Sequence, residues 1–206
     1  MKTIVIFSQY NAQEGVARKD YKELPHKNID TGGGLERFAC IMQGAETNFE
    51  TDLFLPIIKE TEKLTKVPYE ENKMAYRVIA DHIRTCTFAL SDGASFSNEG
   101  RGYVLRRILR RAMRYGRKLG IYEPFLYRLV DVVTDIMKDF YPYLLEHKER
   151  VKKTIYSEEV RFLKTLASGE QLLRKMMEDT STLTGEEAFK LYDTYGFPIE
   201  LTVEIA

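Results

Sequence analysis

The sequence contains little cysteine, no tryptophan and no long apolar run. Only Cys40 and Cys86 occur among its 206 residues, far apart and without a CxxC pairing. This disfavours a disulfide framework or a zinc ribbon, and we expect two reduced thiols in the interior. No segment approaches the roughly 20 apolar residues that span a bilayer. The N-terminal MKTIVIF is too short for a signal peptide. We therefore expect a cytoplasmic protein that does not engage a membrane.

The sequence also lacks an excess of charge of either sign. It has 31 Lys and Arg against 31 Asp and Glu, and 44% of its residues are hydrophobic. This composition is that of a folded chain rather than a disordered one. A net charge of zero hides any local separation of charge, so function has to be sought in local patterns.

The predicted architecture is α+β and predominantly α-helical. A β-branched and aromatic stretch over 3–10 predicts a strand, and 21–29 predicts a second strand that ends in a tight turn at 30–34. Two strands do not make a stable sheet alone, so we expect further strands before Met1. From Leu35 onward the apolar spacing is helical. Helices are predicted at about 35–43, 48–66 with an early kink at Pro56, 72–90, 101–119, 125–140, 144–177 and 185–192.

The helix predicted at 101–119 is strongly basic on one face. At 100° per residue its cations share an arc of about 140°, and no acidic residue occurs between Gly100 and Tyr122. Unpaired like charges repel, so we expect a partner outside this helix. Nucleic-acid phosphate is favoured, because the fork of arginine matches phosphate oxygens. An acidic surface elsewhere in the same protein and a membrane are the alternatives. Tyr103 could stack on a base or simply pack. The cations are Arg106, Arg107, Arg110, Arg111, Arg114, Arg117 and Lys118.

The glycine-rich segment Asp30-Thr-Gly-Gly-Gly-Leu-Glu-Arg37 joins the second strand to the first helix. Glycines let the backbone approach a ligand closely, and free N–H groups at a helix start favour an anion. Arg37 could add a full charge. The segment is neither a P-loop nor a Gly-x-Gly-x-x-Gly motif. The alternative is a tight structural turn with Glu36 and Arg37 paired on the surface.

The three histidines are scattered and show no metal-binding spacing. They are His26, His82 and His147. His82 lies on a half-apolar helix, where a packed and hydrogen-bonded role is expected. No nucleophile elbow or Ser-His-Asp arrangement is apparent, and we predict no catalytic side chain and no metal ligand in this chain.

Four segments together resemble the alanyl-tRNA synthetases, a branch of the class II aminoacyl-tRNA synthetases. The likeness runs from about Phe7 to the end of the chain, and the segments occur in the order of the family. They are Asp30–Arg37, Arg77–Arg84 (RVIADHIR), Ser97–Ala112 (SNEGRGYVLRRILRRA) and Leu191–Pro198 (LYDTYGFP).

The resemblance implies a fold in two parts. Residues 1–72 would be the distal part of the class II catalytic domain, with motif 3 and a remnant of its antiparallel sheet. Residues 73–206 would be a helical domain that recognises the tRNA acceptor stem. Motifs 1 and 2 of the family are absent from this sequence, and so is its editing domain. We therefore expect a fragment that is inactive alone.

The resemblance also implies roles for single residues. Gly34 and Arg37 would bind ATP, with Arg37 on the γ-phosphate. Asp30 and Gly32 would bind alanine, since a carboxylate is a suitable partner for its ammonium group. Asn98 and Asp193 would flank the G·U wobble pair of the acceptor stem. The residues expected along RNA phosphates are Arg101, Arg106, Arg107, Arg110 and Arg111.

The chemistry implied has two steps. The alanine carboxylate attacks the α-phosphate of ATP, and the alanyl group then passes to the terminal adenosine of tRNA(Ala). ATP, L-alanine and the tRNA(Ala) acceptor stem are thus the expected partners, with Mg²⁺ as cofactor and zinc only in the editing domain. Positioning and charge stabilisation would carry most of the reaction. The alternative is a stand-alone, non-catalytic RNA-binding module.

Overall fold

The N-terminal region forms a two-stranded antiparallel sheet. The structure is a computed structural model that describes residues 3–178 and 182–205, with side chains except at 3–9, 27–31 and 204. Strand β1 spans Thr3–Asn11 and β2 spans Lys22–Gly34. The predicted turn at 30–34 is wrong, because β2 continues through the glycines, with Gly34 opposite Thr3 and Gly32 opposite Val5. The backbone of β1 supplies ladder partners there, which the sequence of the glycine segment alone does not reveal.

The helices follow the predicted order, with two differences. α1 spans Leu35–Gln43, α2 Leu55–Glu62, α3 Lys73–Ser91, α4 Gly100–Lys118, α5 Leu126–Met137, α6 Tyr143–Glu178, α7 Gly185–Asp193 and α8 Ile199–Ile205. Short 3-10 helices lie at Arg18–Asp20, Asn48–Glu50 and Tyr69–Glu71.

The first difference is the predicted helix at 48–66, which is two elements. A capping box between Thr47 and Glu50 opens a 3-10 turn, and α2 starts separately at Leu55. Pro56 stands in the first turn of α2, where its missing N–H costs nothing. It therefore begins a helix rather than kinking one.

The second difference is α8, for which the sequence carried no prediction. Gly196-Phe-Pro198 follows the end of α7, and the carbonyl of Pro198 accepts the N–H groups of Leu201 and Thr202. The same proline thus opens a new helix, because its fixed φ suits a helix start.

The chain divides into two compact units, residues 1–55 and 56–206. The functional boundary predicted between 72 and 73 stays a prediction. In the second unit α3, α4, α5 and α6 pack against one another. The apolar residues of α6 that recur at helical spacing form one buried stripe, which consists of Val151, Ile155, Phe162, Leu166 and Leu173.

Both cysteines carry free thiols, as predicted. Cys86 lies in the core of the helical unit, and burial raises the pKa of its thiol well above the ordinary value. Cys40 is partly buried and donates to the carbonyl of Ala45. Within the described ranges, no helix combines the length and apolar character needed to cross a bilayer.

Candidate functional site

The glycine segment places a helix start next to an exposed cation. Gly34 precedes α1 in an extended conformation and offers no side-chain cap, so the first N–H groups of α1 have no side-chain partner at that position. Arg37 follows in the first turn and is exposed. No ion pair joins it to a carboxylate in the described part of the chain, so the surface pair with Glu36 that the alternative required is not formed. A helix start and a free guanidinium together favour an anion.

The ring of Phe38 lies close to Gly33 in the same segment. A Cβ at this position would lie 2.6 Å from Cε2 of Phe38, and because Phe38 is 48% exposed, a larger residue would displace the ring towards solvent. Gly32 is exposed beside it. The backbone of Asp30 belongs to β2, but its side chain lies outside the described residues, so its predicted contact with alanine stays a prediction.

Four of the seven cations on the basic face of α4 have carboxylate partners inside the protein. Glu158 of α6 is buried, at 3% exposure. Its Oε1 lies 2.7 Å from Nη2 of Arg110 and accepts a hydrogen bond of 2.9 Å from Nε of the same arginine. Nε of Arg106 lies 3.4 Å from that oxygen. A third cation, Arg161, lies 3.5 Å from Oε2.

Two further arginines of α4 also have carboxylate partners. Arg114 lies 3.1 Å from Glu200 of α8, and Arg117 pairs closely with Glu170 of α6. Four cations of this face therefore have acidic partners within the protein, and the predicted contacts of Arg106 and Arg110 with RNA stay a prediction. The alternative of an acidic surface elsewhere in the same protein is correct for Arg106, Arg110, Arg114 and Arg117.

Three arginines of α4 are exposed instead. Arg107 and Arg111 lie four positions apart on the same side of α4, and Arg101 is exposed at its start. The guanidinium of Arg107 lies 5.9 Å from the ring centroid of Tyr103, and that of Arg111 lies 5.7 Å from the centroid of Tyr115. Among the described residues, none of these three arginines has an ion-pair partner. Cations interleaved with aromatic rings are what a nucleic-acid backbone and its bases require.

Asn98 lies in the loop before α4, and Gly102 holds this loop close to the helix. A Cβ at Gly102 would lie 2.4 Å from the carbonyl oxygen of Ser95 and 2.4 Å from Oγ of Ser97, so only glycine admits the loop there. The exposed Asn98 side chain accepts a hydrogen bond from Nη1 of Arg106. The loop residue is therefore tied to the basic helix.

Asp193 ends α7 and is exposed, and its element is also tied to α4. A hydrogen bond with Tyr103 raises the pKa of Tyr192, which precedes Asp193. The positive charge of Arg107 acts on the same hydroxyl in the opposite direction. The structure thus ties Asn98 to Arg106 and Tyr192, the neighbour of Asp193, to Tyr103, while the contact of Asp193 itself with the acceptor stem stays a prediction.

Two carboxylates on α6 contact functional elements but were not predicted from the sequence. Glu158 and Glu159 stand in the apolar stripe between Ile155 and Phe162, where a core side chain is expected, and both are buried. Acidic residues at core positions are almost never left unpaired, so their place in the stripe was a usable signal for buried partners.

The expected role of His82 is confirmed. Its side chain is 12% exposed, and Nδ1 lies 2.8 Å from Oδ2 of Asp81. In the ranges that the structure describes, no group of three or more His, Cys, Asp and Glu side chains could hold a metal ion.

The family model for tRNA synthetases class II (A) matches residues 3–206. The chain therefore belongs to the class II tRNA synthetases. It is 58% identical over 202 residues to the alanine–tRNA ligase of Acholeplasma laidlawii (strain PG-8A), a match that covers 98% of this chain and 24% of the relative. The alanine–tRNA ligases of Streptococcus sanguinis (strain SK36) and Streptococcus pneumoniae (strain Hungary19A-6) are 56% and 55% identical over 209 residues, with the same coverage. The resemblance to alanyl-tRNA synthetases is confirmed, and the chain spans about a quarter of the length of these relatives.

Proposed function

We propose that this chain is part of an alanine–tRNA ligase, in which it supplies motif 3 of the catalytic domain and the helices that recognise the tRNA acceptor stem. The observation that carries the proposal is the identity of 55–58% to proteins of this name across 98% of the chain. Such a ligase attaches alanine to tRNA at the expense of ATP, and we expect it to act in the cytoplasm.

The first reaction step joins alanine to ATP. An oxygen of the alanine carboxylate attacks the α-phosphorus, and pyrophosphate leaves as alanyl-adenylate forms. Arg37, which is exposed, would hold the γ-phosphate beside the helix start at Gly34. Asp30 and Gly32 would receive the amino acid. An uncapped helix start with an exposed arginine suits a phosphate, so the described residues fit this part of ATP.

Mg²⁺ is the cofactor implied by the family. It would offset the negative charge of the ATP phosphates when bound. Since the described residues form no cluster of metal ligands, we assign no Mg²⁺ ligand to this chain. The remaining work of this region is to position ATP and alanine.

The second step transfers the alanyl group to the terminal adenosine of tRNA(Ala). The acceptor stem would lie along α4, with its phosphates against Arg101, Arg107 and Arg111. These three arginines are exposed and have no acidic partner among the residues that the structure describes, which supports this role. Arg106 and Arg110 would contribute less charge, because Glu158 already neutralises part of it. Asn98 and Asp193 would read the G·U pair at the N-terminal half of α4.

The test is binding of this chain to an alanine acceptor-stem hairpin that carries G·U or G·C at the wobble position, measured across a salt series. We expect G·U to bind at least about tenfold more tightly, or about 1.4 kcal/mol. Log affinity should also fall linearly with log salt concentration, since phosphate contacts release counterions.

Two outcomes would contradict the proposal. Equal affinity for both hairpins would show that the chain binds RNA only through non-specific electrostatic attraction, and it would overturn recognition of the G·U pair. No binding at all would overturn the RNA-binding role of the chain. The genomic sequence upstream of Met1 distinguishes a ligase from a stand-alone RNA-binding module. If it encodes motifs 1 and 2 in the same reading frame, the stand-alone module is excluded.

A further inference from the structure

We propose that the buried Glu158 is a positioning residue for acceptor-stem recognition, acting on Asn98 through Arg106. The inference rests on the proposed function, because it concerns the orientation of Asn98, which is proposed there to contact the G·U pair. Glu158 is 3% exposed and belongs to α6, whereas Asn98 is exposed in the loop before α4.

The contacts form a continuous path from the interior to the surface. Oε1 of Glu158 lies 3.4 Å from Nε of Arg106, and Nη1 of Arg106 donates to Oδ1 of Asn98. The Arg106 side chain is 13% exposed, so most of it is withdrawn from water. A largely buried guanidinium requires a counter-charge, and Glu158 supplies it from a helix more than 40 positions later in the chain.

The hydrogen-bonding chemistry of arginine decides which way the Asn98 amide faces. Arginine has five N–H donors and no acceptor, so the atom it contacts has to be the carbonyl oxygen Oδ1. The Nδ2 group is then left facing away from Arg106, and it has no partner among the described residues. Asn98 therefore presents two N–H donors to a ligand. A minor groove displays acceptors to such donors, so the Arg106 contact prepares Asn98 for that groove.

Arg106 has no other strong attachment in the described structure. Its Nε is buried and makes no well-aligned hydrogen bond, so it is held at Glu158 by charge. Arg110 donates one aligned hydrogen bond to the same carboxylate, and its guanidinium also lies 4.8 Å from the ring centroid of Phe162. Loss of the Glu158 charge should consequently release Arg106 more readily than Arg110.

The experiment compares Glu158→Gln with Glu170→Gln in the 206-residue chain, using the G·U and G·C hairpins. Both substitutions remove one negative charge from α6 that faces an arginine of α4. Glu170 pairs with Arg117 and lies 12 positions from Glu158, or about 18 Å along the helix. We expect Glu158→Gln to lower the G·U preference at least about fivefold and Glu170→Gln to leave it unchanged.

A double-mutant cycle separates positioning from a merely structural role. If Glu158 acts through Asn98, Glu158→Gln should change the G·U preference little in an Asn98→Ala background, because the side chain that Glu158 positions is already absent. A structural role would give the same proportional effect in both backgrounds. Arg106→Gln provides a second route if Glu158→Gln fails to fold, since it breaks the same path and leaves the Glu158–Arg110 pair intact.

The outcomes also separate this inference from the proposed function. No G·U preference in the unaltered chain overturns both. A preference that survives Glu158→Gln and Arg106→Gln overturns the positioning role alone. Equal gains in affinity for both hairpins would show that Glu158 only screens charge, which likewise overturns it.

Discussion

At the scale of single residues, arginines next to each other on α4 have different roles. Arg106 and Arg110 face a buried carboxylate, whereas Arg107 and Arg111 are exposed and lie near tyrosine rings. Helical rotation separates the two pairs by about 100°, so adjacent positions reach different surroundings. Charge that already has a buried partner adds less to RNA binding than charge that faces solvent.

We therefore predict that Arg107→Gln with Arg111→Gln weakens hairpin binding about tenfold at moderate salt. Two lost phosphate contacts should also reduce the slope of log affinity against log salt by roughly 1.5. Binding titrations over a salt series measure both quantities. Lys153→Gln with Lys164→Gln is the matched control, because it removes two exposed charges from α6. Equal losses of affinity in the two variants would show that binding depends on net charge and not on Arg107 and Arg111 in particular.

At the scale of elements, a buried glutamate of α6 caps the start of α5. The carboxylate of Glu159 accepts the N–H groups of Phe125, Leu126 and Tyr127, at 2.9, 2.9 and 3.1 Å. These are the N–H groups that a helix start leaves without partners. Burial outweighs these hydrogen bonds and raises the pKa of Glu159 to about 7.

This shift predicts that stability falls as pH rises. The folded protein binds the proton of Glu159 more tightly than the unfolded chain does, so the stabilisation is complete below the ordinary pKa of about 4.5 and is lost as pH approaches 7. The free energy of unfolding should drop by roughly 2 kcal/mol between pH 5 and 7.5 from this group alone. Urea unfolding at a series of pH values measures it.

Glu159→Gln should flatten that pH dependence, because an amide does not titrate. Glu149→Gln is the control, since its side chain is 81% exposed. Parallel pH profiles for Glu159→Gln and the unaltered chain would refute the assignment of the slope to Glu159.

At the scale of the whole helical unit, distant parts of the chain meet where Phe197 contacts α6. Phe197 is fully buried, and a Cβ at Gly169 would lie 2.2 Å from its Cδ2. Arg114 and Glu200 add an ion pair between α4 and α8. These contacts hold the segment that carries Asp193 against the other helices.

Gly169→Ala should therefore destabilise the chain by about 1–3 kcal/mol, although alanine is the better helix former. The ring of Phe197 would have to leave its place, so the G·U preference attributed to Asp193 should also fall. Chemical unfolding and hairpin binding measure the two effects. Gly185→Ala is the control, since nothing lies within 4 Å of its added Cβ and no loss of stability is expected. Unchanged stability in Gly169→Ala would contradict the packing described here.

The local elements and the family could be predicted from the amino-acid sequence alone. Helix starts at Asn72 and Thr184 were predictable because their caps bind N–H groups only three residues away. The apolar stripe of α6 was predictable for the same reason, since a helical period is a local property. The motifs that resemble alanyl-tRNA synthetases are likewise continuous stretches of sequence.

The ion pairs between helices and the contacts between distant residues could be seen only in the tertiary structure. Arg110 and Glu158 are 48 positions apart, and Arg117 and Glu170 are 53 apart, so no window of sequence shows these pairs. The glycines became strand because β1 lies beside them, and α8 formed after a proline that also ends α7. Long-range partners follow from the packing of whole helices, whereas caps and periodicity follow from neighbours along the chain.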